Sequence, residues 1–328
     1  MKLHQDIKLF NEAIRATAQR MGILDIYIEK DYWVCYALYL IFNGPQKDHV
    51  IFKGGTALSK CYQIIERFSE DIDLVVLTEE NQSGNQKKAR LKKVTQALKA
   101  PFEEDFVEGV TNKLGEIRKV AFNYPKAFKG DFGQARDKII LEASIFGSSE
   151  PFTTKSISTY ISNTMIDVGQ EKLIEKYQLA PFSVKVLEIK RTFCEKIMSL
   201  VRFSNTEKPI EDLKNKIRHV YDIHKLLTLE EIHLFFKSKD FDTMLLTVAN
   251  DDIIGYKNNN VWLEKHPSEA MIFKNSEVVW PQLRTTYVTN FNKLVYGELP
   301  EEEAILKTLQ QVSKRLESII WNIKVQNQ

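Results

Sequence analysis

The stretch IFKGGTALSKCYQIIERFSEDIDLVV, Ile51 to Val76, decides the fold. It reads as strand, Gly-Gly turn, helix, strand, and the second strand carries two aspartates in an apolar run. Side chains along a strand alternate faces with a period of two. Asp71 and Asp73 therefore share one face, while Ile72, Leu74 and Val76 share the other and turn to a core. Two carboxylates about 7 Å apart on one strand face repel each other. A divalent cation relieves that repulsion. Mg²⁺ uses one or two carboxylates and completes its shell with water and substrate phosphates, and Mn²⁺ accepts the same oxygen donors. Asp71 and Asp73 are the first candidate metal ligands.

The turn before them supplies a complementary feature. Gly54 and Gly55 let backbone approach an anion closely, and with Thr56 they open a helix whose first N–H groups face outward. Lys53 stands just before the turn. Lys53, Gly54, Gly55 and Thr56 are candidate phosphate contacts. An isolated Asp-x-Asp is usually an exposed strand face, and an isolated Gly-Gly is usually just a turn. The ordered combination is what carries information, and it points to a nucleoside triphosphate held with its metal.

Composition sets the outer bounds. The chain has 328 residues, 43% of them hydrophobic, which is enough for two packed domains and unlike a disordered chain. Its 46 basic and 44 acidic side chains nearly cancel, so overall charge argues for no class of partner. The three cysteines Cys35, Cys61 and Cys194 are widely spaced and suggest neither a disulfide framework nor a zinc site, which fits a reducing cytoplasm. The most apolar segment, Asp31 to Phe42, is too short to span a bilayer and reads as a buried helix.

Along the chain, apolar spacing predicts helices over 6–20, 29–43, 56–66 and 86–106, and strands over 115–124 and 137–146 that form a hairpin pair. From about residue 180 the pattern turns helical, with one long helix over 184–203, another over 212–227, shorter ones over 229–237 and 240–248, and a last one over 301–323. The fold class is α+β: a mixed sheet with helices in an N-terminal domain, 1–165, followed by a mainly helical C-terminal domain, 166–328. The boundary belongs somewhere in 150–183.

The segments EKDYWV (29–34), VIFKGGTALSK (50–60), ERFSEDIDL (66–74), TFCEK (192–196) and RHVYDIHKLL (218–227) together resemble the AbiEii/AbiGii toxin family, within the DNA-polymerase-β-like nucleotidyltransferase superfamily. The resemblance is strong over 29–76 and 184–227. The gap from Gly55 to Asp71 is longer than in the compact polymerase-type pattern, and Cys194 stands where an aromatic is common. The resemblance implies a polymerase-β-like sheet, and transfer of a nucleoside monophosphate from an NTP to an acceptor hydroxyl with Mg²⁺. It also implies the toxin half of a toxin–antitoxin or phage-defence pair. The acceptor it implies is RNA, the tRNA 3′ end first, and a neighbouring gene would encode the antitoxin. Transfer to a protein or small-molecule hydroxyl stays open, as does a regulator of the same fold that binds NTP or RNA without turnover.

The resemblance extends to further residues. A third carboxylate from a neighbouring strand is expected at Glu142, which alternates with Leu141 and Ala143; its bland reading is a solvent-facing glutamate. Lys196 lies on the apolar stripe of its helix with Ile189, Phe193 and Leu200, where a lysine is rare unless paired. The family pattern makes it a catalytic and phosphate-binding residue. Asp222 is the matching acidic residue, expected to pair with Lys196 or to act on the acceptor, with Arg218 one turn before it as another partner. Arg67 and Ser69 flank the aspartates as secondary nucleotide contacts. His219 and His224 lack a metal-ligand set. Basic residues gather over 87–93 and again over 113–138, including Lys119, Arg136 and Lys138. Interleaved with Tyr124 and phenylalanines, they can follow an RNA backbone, although a charge run is more often a solvated face.

Overall fold

The computed structural model describes residues 1–79, 81–133, 135–145, 151–256 and 259–325. The chain divides into two compact units, Met1–Ile145 with Phe152–Leu187, and a second that holds Glu188–Gln328. The first unit therefore runs on past residue 165.

The first unit is built on a seven-stranded mixed sheet. Its strands are β1 (Val50–Lys53), β2 (Ile72–Val76), β3 (Glu103–Asp105), β4 (Ile117–Asn123), β5 (Ile139–Ser144), β6 (Phe152–Ile157) and β7 (Phe182–Leu187), in the order β3-β4-β5-β2-β1-β7-β6. β2 runs parallel to β5 and β1 runs parallel to β7, while the other neighbours are antiparallel. Its helices are α1 (Ile7–Met21), α2 (Asp25–Phe42), α3 (Gly54–Lys60), α4 (Gly84–Thr95), α5 (Tyr160–Asp167) and α6 (Glu171–Tyr177). α1 begins where the Asp6 carboxylate accepts the Leu9 N–H at 3.2 Å, and it ends at Gly22, whose φ of +68° suits a residue without Cβ. α2 is buried nearly all round and forms the spine of the larger core.

The two faces of the sheet differ. Phe52, Ile72, Leu74, Val76, Val120, Leu141 and Ala143 belong to the large core that α1, α2 and α4 share. The opposite face holds a small apolar cluster of Ile51, Val75 and Leu187, and further along the same strands it turns polar. The period-two reading of β2 is thus realised: Ile72, Leu74 and Val76 are buried and Asp73 alternates with them.

The second unit is helical: α7 (Ile189–Phe203), α8 (Pro209–Asn215), α9 (Ile217–Leu227), α10 (Glu230–Lys237), α11 (Lys239–Gly255), α12 (Met271–Lys274), α13 (Ser276–Thr285) and α14 (Glu302–Glu317), with short 3-10 turns and one π-helical segment, Thr286–Phe291, between. Several sequence expectations need correction. The helix expected over 184–203 starts only at Ile189, because Val184 to Leu187 form the end of β7, parallel to β1. The helix over 212–227 is two helices, separated at Lys216 with φ −106° and ψ 12°. The helix expected over 86–106 ends at Thr95, and residues 103–105 form the edge strand β3. Among the described residues no helix is long and apolar enough to cross a membrane.

Candidate active site

Strand register brings four charged residues into one row across the polar face. Lys53 on β1 is opposite Asp73 on β2, Asp73 is opposite Glu142 on β5, and Glu142 is opposite Lys119 on β4. Cross-strand partners lie on the same face, so the row reads lysine, aspartate, glutamate, lysine. Glu142, the third carboxylate that the resemblance implied and its alternation located, is the direct neighbour of Asp73. Lys119 completes the row: its Nζ is 2.9 Å from Glu142 Oε2. The sequence counted Lys119 only as one of a basic run. The usable signal was its alternation with Val120 in β4, but the register that aligns it with Glu142 is tertiary.

The electrostatics follow from this crowding. Burial, then the negative charges of Glu142 and Asp71, push the Asp73 carboxyl up to about 7, against the pull of Lys53 and Lys119. Burial alone would lower the Lys119 ammonium, but Glu142, Asp73 and Asp71 outweigh it and hold the group above its ordinary range. Asp71 sits just before β2 on the same face as Asp73. Its Oδ1 is buried and accepts no hydrogen bond, and its Oδ2 is 3.8 Å from Arg136 Nη1. A buried carboxylate oxygen without a donor is costly and asks for a cation.

Among the described residues no three Asp, Glu, His or Cys side chains are arranged to hold an ion unaided. The donors present suit an ion that needs little protein. The Asp71 oxygen without a partner and the Asp73 carboxyl next along the face are hard oxygen donors of the kind Mg²⁺ or Mn²⁺ takes, with substrate and water supplying the remainder. Glu142 is less available, since Lys119 holds one of its oxygens.

The Gly-Gly turn is shaped by these carboxylates. Gly54 has φ +81°, and a Cβ there would overlap Asp73 Oδ2. At Gly55 a Cβ would lie 2.7 Å from Arg67 Nη2 and 3.1 Å from Ser69 Oγ. The absence of side chains at 54 and 55 therefore makes room for Asp73 and for the Arg67–Ser69 segment. Thr56 ties the turn to the aspartates: its Oγ1 donates to the Asp71 carbonyl at 2.6 Å and lies 3.0 Å from Ser69 Oγ. Arg67 is buried and its Nη1 donates to the Phe68 carbonyl at 3.1 Å. Lys53, Gly54, Gly55, Thr56, Arg67 and Ser69 thus gather around Asp71 and Asp73.

Gly54→Ala is expected to destabilise the protein by about 1–2 kcal/mol through its left-handed backbone alone, and to displace Asp73 as well. Gly22→Ala incurs the same kind of strain at φ +68° but meets nothing within 4 Å. Melting curves should therefore show both variants destabilised, with catalytic activity falling only in Gly54→Ala. Equal activity in the two would separate Gly54 from the site.

In the second unit α7 and α9 bring Lys196 and Asp222 together, Nζ to Oδ2 at 2.6 Å, both buried. The expected pair is present. The EKDYWV segment proves structural: Asp31 forms a buried ion pair with Lys60, whose Nζ lies 3.7 Å from the centre of the Tyr160 ring.

The family described as "Nucleotidyl transferase AbiEii toxin, Type IV TA system" matches residues 36–312. No curated protein matches the chain. Among solved structures, MenT4, a nucleotidyltransferase toxin from Mycobacterium tuberculosis H37Rv, superposes with a TM-score of 0.52 over 94% of this chain and 90% of that one, at 14% sequence identity. At that identity the likeness shows a shared fold.

Proposed function

The chain belongs to the AbiEii nucleotidyl transferase toxin family of type IV toxin–antitoxin systems, and from that premise we propose that it transfers a nucleoside monophosphate from an NTP to an RNA 3′ hydroxyl, the tRNA 3′ end first, with Mg²⁺. The observation that supports this most directly is the row Lys53–Asp73–Glu142–Lys119 with Asp71 beside it, its Oδ1 buried and without a donor.

In this reaction the acceptor hydroxyl releases its proton to solvent as its oxygen forms a bond to the α-phosphorus, the α–β phosphoanhydride bond breaks, and pyrophosphate leaves with the electron pair. Asp71 and Asp73 would hold Mg²⁺, with Glu142 adjoining. Bound there, the ion would neutralise phosphate charge and make the acceptor hydroxyl more acidic. Lys53 and the backbone of Gly54, Gly55 and Thr56 would bind phosphate oxygens. Arg67 and Ser69 would keep the turn in place. Lys119 restrains Glu142, so negative charge at the site is graded rather than maximal. Membership of a toxin–antitoxin family implies an antitoxin partner, and we place its gene next to this one and its role in phage defence.

The test is direct. Full-length protein is incubated with Mg²⁺, total tRNA and each α-³²P-labelled NTP in turn. One NTP should label a tRNA band, and omission of Mg²⁺ with added EDTA should remove the label. Label on protein or in the small-molecule fraction would move the acceptor and keep the reaction. NTP binding with no label anywhere would overturn the proposal.

A further inference from the structure

Between β4 and β5 the chain makes a long excursion, 124–138, whose described residues form neither helix nor strand. Loops of this length in a compact domain are usually functional or disordered. This one is tied down by buried charge. The Glu29 carboxylate accepts the N–H groups of Ala127 at 2.6 Å and Phe128 at 3.2 Å. Tyr27 Oη donates to the Phe132 carbonyl at 3.1 Å. The Arg136 peptide is held from both ends: Glu70 accepts its N–H at 3.3 Å, and Lys30 Nζ donates to its carbonyl. Glu29, Lys30 and Glu70 are all 0% exposed. Burying a charge is costly unless it is hydrogen-bonded, and these three are directed at the backbone of one strap. That investment fixes where Arg136 stands.

The Arg136 side chain remains 44% exposed, with Nη1 3.8 Å from Asp71 Oδ2. That is an ion-pair distance, well beyond the about 2.7–2.9 Å of a charge-assisted hydrogen bond. Among the described residues its guanidinium makes no hydrogen bond, so its fork of donors is open to a ligand. Beside it the strap borders a cavity of about 460 Å³, with Val107, Phe132 and Ile140 as its apolar wall. The other charged residues lining this cavity are already engaged. Asp131 accepts the Gly133 N–H at 2.8 Å, Asp137 pairs with Lys126 at 2.8 Å, and Lys138 pairs with Asp105 at 2.6 Å. Arg136 is the cation left facing both the cavity and the metal-binding aspartate.

We infer that the strap cavity is a nucleotide site, with Arg136 taking a phosphate and Phe132 and Ile140 packing against the base or sugar. The volume falls within the range of small-ligand pockets, and a phosphate bridging Arg136 and the Asp71 site matches the bidentate geometry of a guanidinium. The assignment rests on the nucleotidyl-transfer reading and deepens it: the nucleotide is either the 3′-terminal residue of the acceptor RNA or the incoming NTP.

Two binding measurements without turnover distinguish these sources. One is fluorescence anisotropy of a short fluorescein-labelled single-stranded RNA with a free 3′ hydroxyl. The other is calorimetry with α,β-methylene analogues of the four NTPs in Mg²⁺. Both are run on wild type, Arg136→Ala, Arg136→Lys and Phe132→Ala, with melting curves to show that each variant is folded. Arg136→Ala should weaken one ligand about tenfold or more, Arg136→Lys should recover only part of that, and Phe132→Ala should weaken the same ligand. Loss confined to the RNA assigns the cavity to the acceptor, and loss confined to the analogues assigns it to the NTP. Affinities within about twofold of wild type for both ligands, or no binding of either by wild type, overturn the inference. Because neither assay involves transfer, its failure leaves the labelling result with tRNA untouched.

Discussion

Asp73→Asn is expected to reduce nucleotidyl transfer by at least ~10³-fold and, in the metal-free protein, to raise the melting temperature above pH 7. Both effects have one origin. Asp73 stands between Glu142 on the neighbouring strand and Asp71 just before its own, and burial and those two charges raise its carboxyl from 3.8 to about 7. Between those values the folded protein holds a proton that the unfolded chain releases. Stability therefore falls as pH rises from about 4 to about 7, and levels off above. Asparagine removes this charge, so the gain over wild type should be greatest above pH 7 and vanish below about pH 4. Melting curves of both proteins from acid to alkaline pH test the sign. Mg²⁺ should compete with the same proton, so that it stabilises wild type more at pH 8 than at pH 5.5 and does little for the variant. Asp71→Asn should also lose transfer, since it replaces one oxygen of a carboxylate whose Oδ1 has no donor. Transfer within about tenfold of wild type in either variant, or a melting temperature that rises with pH across this window, would sink the assignment.

Much of this site was legible because it depends on short-range periodicity. Period two placed Asp71 and Asp73 together and Ile72, Leu74 and Val76 opposite; the resemblance supplied the expectation of a third carboxylate, and alternation then located it at Glu142. What was not legible depends on register and on neighbours distant in sequence. Lys119 and Arg136 read as members of a basic run, because counting charge says nothing of which strand partner or carboxylate a lysine or arginine meets. Glu29 and Lys30 were legible only through resemblance, yet they are fully buried and restrain the 124–138 strap. The errors of element assignment have the same character. β7 ends at Leu187 and α7 begins at Ile189, with only Glu188 extended between them, at φ −64° and ψ 148°. No glycine or proline marks the change, and an apolar run read in a helical window absorbs the strand. β3 and β6 are edge strands with largely exposed residues, so they lack the alternation that announces a half-buried strand.

The second large effect is expected in the helical unit. Lys196→Met should destabilise the protein by about 3–5 kcal/mol, because it takes the ammonium from a buried carboxylate. Lys196 Nζ lies 2.6 Å from Asp222 Oδ2, with side-chain exposures of 6% and 0%. Lys196 shares its stripe of α7 with the buried Ile189, Phe193 and Leu200, and Asp222 stands on α9 between the buried Tyr221 and Ile223. Asp222→Leu should cost a similar amount for the converse reason. Breaking a buried pair is far more damaging than replacing both members by apolar groups of similar volume, so Lys196→Met with Asp222→Leu should recover much of the loss. Urea unfolding of the four proteins gives the coupling. Stability alone does not explain a lysine in this core, since an apolar residue would pack there without any desolvation cost. If the pair serves the chemistry, as the family resemblance implies, the double variant should regain stability while transfer stays abolished at a temperature where it is fully folded. Return of transfer together with stability would reduce Lys196 and Asp222 to a packing pair and leave the chemistry to the strand carboxylates.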